Sequence, residues 1–411
     1  MALPPVFEPR HSRHFPALFD EIPCGGAGLD LIRVEKTAVL LETMNALRWG
    51  IMGGAGIARK NWEAIRLSGS GVVTAVGSRD LGRAQAFVDQ CHLEAPFASK
   101  PAAVEGYDAL LARSDVDAVY VPLPTGIRAE WVERAAAAGK HVMCEKPCAG
   151  SAVALRSMLE ACRKAGVQFM DGTMFQHSSR LEAVRRVLDD AERFGELRRV
   201  SSAFSFLADD GFAKENIRGD AGLEPMGCLG DLGWYNTRIS LWALGWKRPV
   251  RVHARCHRWM RRGGGAPVPS EVTVELEFEG GVTAGFYCSF AAADQQWVQF
   301  SGTRGCLRVD DFVLPFDGRP LEFETRQSQF VVDGCDFRMR STARVEVVPE
   351  APTRDAGSQE SRMFRTFADC VARGASDVFW PRIALETQEV LDACMQAIVA
   401  TGLSPSGSRE D

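Results

Sequence analysis

From Leu47 to Asp171 the chain alternates short apolar runs with longer segments of helical period, and no other feature constrains its fold as strongly. The apolar runs are Leu47 to Met52, Val72 to Gly77, Ala118 to Val121, His141 to Cys144 and Gln168 to Asp171. Between them lie amphipathic segments at Ile57 to Leu67, Arg83 to Cys91, Tyr107 to Arg113, Arg128 to Ala138 and Ala152 to Ala165. Short apolar runs separated by helical segments predict β-α-β units, hence an α/β doubly wound parallel sheet of Rossmann type. Such a sheet takes its ligand at the carboxyl ends of the strands.

Beyond Asp171 the pattern changes. Helices are expected near Ser179 to Glu192 and Cys228 to Leu244, then strands at Val250 to Cys256, Glu271 to Phe278, Thr283 to Phe290, Val298 to Phe300 and Cys306 to Val309. Consecutive strands joined by turns such as Gly280-Gly281 predict an α+β domain with a mostly antiparallel sheet. Polar segments at Ala208 to Pro225 and Pro349 to Glu360 read as loops, and Ser361 to Val371 and Leu385 to Ala400 as closing helices. The expected division is an N-terminal extension over 1–43, a nucleotide-binding domain over 44–171, a substrate and oligomerisation domain over 172–358, and closing helices with a tail over 359–411. Met44-Asn45-Ala46 runs directly into the first strand, so Met44 is a candidate start and Met1 the alternative.

The 411 residues are too many for one ordinary core. With 48 basic and 53 acidic residues and no long basic stripe, the chain has no electrostatic basis for binding nucleic acid. Its twelve cysteines are scattered, several inside apolar runs, and read as reduced core residues. The cysteines form no Cys-x-x-Cys pair, and no metal site is expected. No apolar run approaches the roughly 18 to 20 residues that span a bilayer, and a cytoplasmic protein is expected.

The residue types that carry chemistry sit at the ends of the expected strands. Gly53-Gly54-Ala55-Gly56-Ile57-Ala58 joins the first strand to a helix, the context in which backbone N–H groups and a helix N-terminus cradle a pyrophosphate. Its middle position is Ala55, which fits only with a negative φ. The second strand ends in Ser78-Arg79, a hydroxyl and a guanidinium suited to the 2′-phosphate of NADP. The alternative is NAD, with Asp80 on the ribose. Pro122-Leu123-Pro124 would hold a loop beside the cofactor without needing ladder donors.

Glu145-Lys146-Pro147 follows the fifth strand, where the Lys146 ammonium can reach a reaction centre near the nicotinamide. Asp231 and Tyr235 in Gly230-Asp231-Leu232-Gly233-Trp234-Tyr235-Asn236 lie four apart at an expected helix start. Tyr235 is the candidate general acid/base, with its pKa lowered by a nearby cation, and Asp231 the group that orients substrate or lysine. His177, Arg180 and Asn236 are substrate-binding candidates; the alternative for His177 is a buried interdomain residue.

Taken together, Gly53 to Ala58, Tyr120 to Pro124, Ala138-Gly139-Lys140-His141-Val142, Glu145-Lys146-Pro147 and Gly230 to Tyr235 resemble the glucose-fructose oxidoreductase and inositol dehydrogenase (Gfo/Idh/MocA) family. The likeness covers about Leu47 to Leu403. Met170 to Met174 and Glu192 to Leu197 bring it nearest the branch holding dihydrodiol and NADP-dependent D-xylose dehydrogenases.

The resemblance implies hydride transfer between NADP(H) and a hydroxyl or carbonyl carbon of a sugar, polyol or diol, in a homodimer or higher homo-oligomer. Lys146 matches the family's cofactor- and substrate-binding lysine, Tyr235 its proton-transfer residue and Asp231 the acid of that motif. One departure stands out: the loop after Pro124 usually carries a histidine where this chain has Arg128. The competing readings are a catalytically silent NADP sensor and a glycoside hydrolase that retains its nicotinamide.

Overall fold

The computed structural model describes residues 46–209, 211–351, 354–374 and 377–400. The N-terminal extension, Met44 and the tail from 401 lie outside the described residues.

The first half alternates strand and helix: β1 (Leu47–Met52), α1 (Gly56–Ser68), β2 (Gly71–Ser78), α2 (Leu81–Glu94), β3 (Ala102–Glu105), α3 (Tyr107–Leu111), β4 (Ala118–Val121), α4 (Thr125–Ala137), β5 (His141–Cys144), α5 (Ala152–Ala165) and β6 (Phe169–Asp171). The strands pair in parallel in the order β3-β2-β1-β4-β5-β6, with the change of direction between β1 and β4. Strand β3 was not expected from the sequence. Its Ala102-Ala103-Val104-Glu105 is four residues long and lies at the sheet edge, too short for a periodic signal. Strands β1 and β4 are buried along nearly their whole length, as helices on both faces require.

The second half begins with α6 (Ser179–Leu188) and β7 (Leu197–Leu207), followed by α7 (Phe212–Glu215), α8 (Gly227–Asp231) and α9 (Gly233–Ala243). Seven further strands follow: β8 (Arg251–Met260), β9 (Val268–Glu277), β10 (Thr283–Ser289), β11 (Ala291–Gly302), β12 (Cys306–Val309), β13 (Leu321–Asp333) and β14 (Asp336–Val348). They form an eight-stranded sheet in the order β14-β13-β12-β11-β7-β10-β9-β8, antiparallel except for β7 with β10. Three of these strands were missed in the sequence. Strand β7 is central, yet its Arg-Arg-Val-Ser-Ser-Ala-Phe-Ser-Phe run carries too many serines and arginines to read as apolar. The outer part of the β13–β14 hairpin is exposed on both faces, and the inward alternation of Leu321, Phe323 and Thr325 at the base of β13 is too short to mark two thirteen-residue strands.

The expected single helix from Cys228 to Leu244 is two, broken at Leu232. The expected loop from Ala208 to Pro225 holds α7 and a turn of 3-10 helix at Ile217–Gly219. Helices α10 (Gln359–Ala372) and α11 (Phe379–Ala400) close the fold. Phe364 and Phe367 of α10 pack on Trp49 of β1, with ring centroids 5.3 and 5.1 Å away, so the C-terminal segment completes the first core. Among the described residues no helix is long and apolar enough to cross a membrane.

Candidate active site

A cleft of about 1000 Å³ opens where the carboxyl ends of β1, β4 and β5 face α8, α9 and the second sheet. Its first wall is largely backbone. At Gly53 φ is +92°, a conformation that L side chains rarely adopt, and its N–H donates to the Gly77 carbonyl at 2.7 Å. A Cβ on Gly54 would meet the Phe87 ring at 3.0 Å, so this turn is tightly packed from behind. Ala55 has φ −63° and ψ 152°, the negative φ its methyl needs. No side chain caps α1, and a Cβ on Gly56 would meet nothing within 4 Å. Ala55, Gly56 and Ile57 line the cleft at this uncapped helix start, while Ala58 is buried against the core. This cradle fits a dinucleotide pyrophosphate.

At the end of β2, Ser78 is buried and Arg79 is exposed. Asp80 is occupied as the N-cap of α2, accepting from the Arg83 N–H at 2.7 Å. That use of Asp80 favours the arginine over the carboxylate as the group that meets the adenosine ribose. Tyr107 lies close by: burial raises its phenol, and the Arg79 charge opposes the rise.

Pro122, Leu123 and Pro124 line the cleft, and Arg128 lies buried behind them. The Arg128 guanidinium donates to the carbonyls of Leu123, Pro147 and, at 2.7 Å, Glu145. It thereby ties the Pro-rich loop to the Glu145-Lys146-Pro147 turn, whose Lys146–Pro147 peptide is cis. The arginine that replaces the expected histidine is thus a carbonyl clamp. Glu145 is also buried, accepting from the Tyr120 hydroxyl at 2.6 Å and from Asn61 at 3.3 Å.

Lys146, Asp231 and Tyr235 converge on the cleft floor. The Lys146 Nζ donates to Asp231 Oδ1 at 2.8 Å and to the Asp231 carbonyl at 2.6 Å, and stands 4.7 Å from the centroid of the Tyr235 ring. A second cation, which the sequence reading missed, completes the group: Arg218 Nε donates to Asp231 Oδ2 at 2.6 Å. Burial alone would raise the Asp231 carboxyl, but Lys146 and Arg218 outweigh it and hold it well below the usual carboxylate range.

Tyr235 departs from expectation. Burial, then the charges of Glu145 and Asp231, push its phenol well above the ordinary value, with Arg218 opposing them. Lys146 lies over the ring face, and the hydroxyl's hydrogen-bond partner is Met174 Sδ at 3.7 Å. The phenol is therefore held protonated and suited to donate.

His177, Arg180 and Asn236 do not line the cleft. His177 is buried and stacked on Trp380 with ring centroids 4.6 Å apart; burial, helped by Arg238 and Arg362, pushes its pKa down to about 3. Arg180 is buried in an ion pair with Asp311 at 2.5 Å. Asn236 is fully buried on the core side of α9 and donates to Ser202 Oγ at 2.9 Å. Each lies close in sequence to the site, but its element turns it into the core.

The second wall comes from Phe204 and Phe206 of β7, Asp294 to Gln296 of β11, Phe316, and the strap over 211–226 that carries Glu215 and Arg218. The strap is pinned to the start of α4. Glu224 accepts from Thr125 N–H at 3.1 Å and its hydroxyl at 2.6 Å, and the Leu223 carbonyl accepts from Gly126 at 2.8 Å. A Cβ on Gly126 would stand 1.8 Å from the Gly222 oxygen, so the two backbones touch there.

Comparison with known proteins identifies the family. The model of an oxidoreductase family with an NAD-binding Rossmann fold matches residues 47–173, and that of the GFO/IDH/MocA C-terminal domain matches 181–308. The chain belongs to the Gfo/Idh/MocA oxidoreductase family. It is an NAD(P)-dependent oxidoreductase, with the doubly wound sheet followed by the mostly antiparallel sheet that its family models describe. This family member is 33% identical to a dTDP-3,4-didehydro-2,6-dideoxy-α-D-glucose 3-reductase of Streptomyces violaceoruber, over 87% of this chain and 96% of that one. It is 33% identical to a D-xylose 1-dehydrogenase (NADP⁺) of Haloferax volcanii, over 64% of this chain and 76% of the relative. A 3-ketoreductase from Actinomadura kijaniata solved with NADP and TDP-benzene superposes with TM-score 0.70 at 27% identity, covering 86% of this chain and 98% of the other.

Proposed function

We propose that this enzyme uses NADP(H) to interconvert a hydroxyl and a carbonyl on an uncharged sugar, polyol or diol. The observation that carries the reading is the Lys146 ammonium held by Asp231 beside Tyr235 at the foot of the glycine-rich cradle. NADP(H), when bound, supplies or accepts the hydride; Gly53 to Ala58 would hold its pyrophosphate, Ser78 and Arg79 its 2′-phosphate, and Pro122 to Pro124 with Glu145 and Lys146 its nicotinamide end. Lys146 holds the reacting substrate oxygen. The phenol of Tyr235 gives its proton to that oxygen during carbonyl reduction, and takes one back in the reverse direction.

The charges lining the cleft favour a neutral substrate. Lys60 pairs with Glu360 at 2.6 Å, Lys146 and Arg218 both pair with Asp231, and Arg128 is spent on carbonyls. A nucleoside diphosphate would find no unpaired cation among these side chains, whereas Glu215 and Asp294 offer acceptors to hydroxyls and Phe204, Phe206 and Phe316 offer flat apolar surface. We also infer that the enzyme works in the cytoplasm as a homodimer or higher homo-oligomer. The exposed Phe330, Val332, Phe337 and Met339 of the β13–β14 hairpin support assembly with a second copy.

Fluorescence and thermal-shift titrations with NADPH and NADH test the cofactor, because a ligand of the folded state raises the melting temperature by mass action. NADPH should bind more tightly, and Arg79→Ala should remove roughly tenfold or more of that preference. Turnover should follow on uncharged sugars or diols. Lys146→Ala should abolish it while leaving dinucleotide binding nearly intact; NADH preference, or an active Lys146→Ala enzyme, would overturn these assignments.

A further inference from the structure

We propose that Arg218 is a positioning residue that keeps Asp231 ionised and in place while Lys146 engages the substrate, an inference resting on the proton-transfer reading above. Asp231 is nine-tenths buried and accepts from two cations. Lys146 occupies Oδ1 and the backbone carbonyl; Arg218 takes Oδ2 through Nε at 2.6 Å and reaches Oδ1 through Nη2 at 3.3 Å. That side-on fork fixes the plane of the carboxylate, which a single ammonium cannot do.

The Lys146 ammonium has three N–H donors and spends two on Asp231, so the third can reach a substrate oxygen, which then draws on the charge that holds the carboxylate. With Lys146 as its one cation, the buried carboxylate would lose part of its compensation as the substrate oxygen shares that ammonium. With Arg218 on Oδ2 the charge remains compensated, and Lys146 can serve Asp231 and substrate together.

The fold holds Arg218 at this point independently of substrate. It lies in the 3-10 turn Ile217–Gly219, where Asn216 Oδ1 accepts from the Arg218 N–H at 3.1 Å. The Gly219 carbonyl accepts from Arg262 N–H at 2.7 Å, and a few residues later Leu223 and Glu224 dock on Thr125 and Gly126. The strap therefore joins the start of α4, beside the cofactor loop, to the carboxylate of the proton-transfer group.

The other titratable groups around this centre are Glu145 beside Lys146, Glu224 on the strap, Tyr235 on α9, Glu360 on α10 and Cys228 on α8. None of these supplies a replacement cation.

The test is Arg218→Ala and Arg218→Lys in the full-length enzyme, read by steady-state kinetics across pH with NADPH fluorescence as a control for folding. For Arg218→Ala we expect kcat to fall roughly ten- to a hundredfold, the loss of a hydrogen-bonded charge, with NADPH affinity unchanged. The acid limb of kcat/KM should move to higher pH, because a buried carboxylate facing one cation instead of two takes a proton more readily. Guanidinium ion added to Arg218→Ala should restore part of kcat, and Arg218→Lys should return the acid limb toward the wild-type position.

A rise confined to KM would instead make Arg218 a direct substrate contact and overturn the proposal, as would an unmoved acid limb. Loss of NADPH binding together with kcat, without guanidinium rescue, would reduce Arg218 to a fold determinant and also overturn it. A wild-type enzyme that binds NADPH but turns over no sugar, polyol or diol would defeat the functional reading rather than this assignment.

Discussion

The two walls of the cleft are built by different means. The nucleotide wall presents backbone: a turn at Gly53 to Gly56, an uncapped helix start, and carbonyls held by Arg128. The opposite wall presents side chains from β7, β11, the strap and α9, elements far apart in the chain. A backbone-built wall depends on local geometry and suits a ligand part that never changes, such as a pyrophosphate. A side-chain wall can be altered one residue at a time, which is how one scaffold comes to serve many substrates.

Three variants sharpen or break this contrast. The largest expected effect is at Tyr235, a side-chain contribution to chemistry. Tyr235→Phe should lower kcat by roughly 10²- to 10⁴-fold, the usual range for a lost general acid. Among the described residues the Tyr235 hydroxyl has only a thioether for a partner, so melting temperature and NADPH affinity should hardly change. Near-normal turnover would remove Tyr235 from the proton path.

The joint between the walls comes next. Gly126→Val places a side chain where the Gly222 oxygen already lies, so the strap must shift or α4 must move. We expect thermal or denaturant unfolding to report a loss of about 1–3 kcal/mol, as for other overpacked sites, together with a raised substrate KM. Unchanged stability and KM would mean that the strap does not need its seat on α4.

The smallest effect on stability is expected on the exposed hairpin. Phe330 and Phe337 stack on each other, centroids 5.9 Å apart, on the outer part of the hairpin. The double replacement Phe330→Ser and Phe337→Ser should change monomer stability by no more than about 0.5 kcal/mol, as at other surface positions. Sedimentation should nevertheless show weaker self-association, and an unchanged assembly state would take the hairpin out of the interface.

The same division explains which parts of the molecule could be read in advance. Strands β1, β4 and β5 are buried on both faces and spell near-continuous apolar runs, so their bounds agree with the sequence reading. The glycine turn was legible because backbone conformation there depends on the residue itself, as the positive φ at Gly53 requires. Strand β7 was not, since its place at the centre of the second sheet comes from pairing with β10 and β11, more than eighty residues later.

Lys146, Asp231 and Tyr235 were legible as motifs, but their electrostatics were not. Tyr235 was expected to have its pKa lowered; burial with Glu145 and Asp231 raises it instead. His177, Arg180 and Asn236 had suitable chemistry and wrong facing, which no spacing rule could have told.

The sequence by itself determined the α/β architecture, the cradle from Gly53 to Ala58 and the residue types at the reaction centre, because strand burial, turn conformation and motif spacing are local properties of the chain. Only the tertiary structure decided that Arg218 shares Asp231 with Lys146, that Arg128 clamps three carbonyls, and that Glu224 pins the strap to Thr125. Those contacts join residues brought together by the packing of separate elements. Their partners are set by three-dimensional proximity, which leaves no period in the sequence.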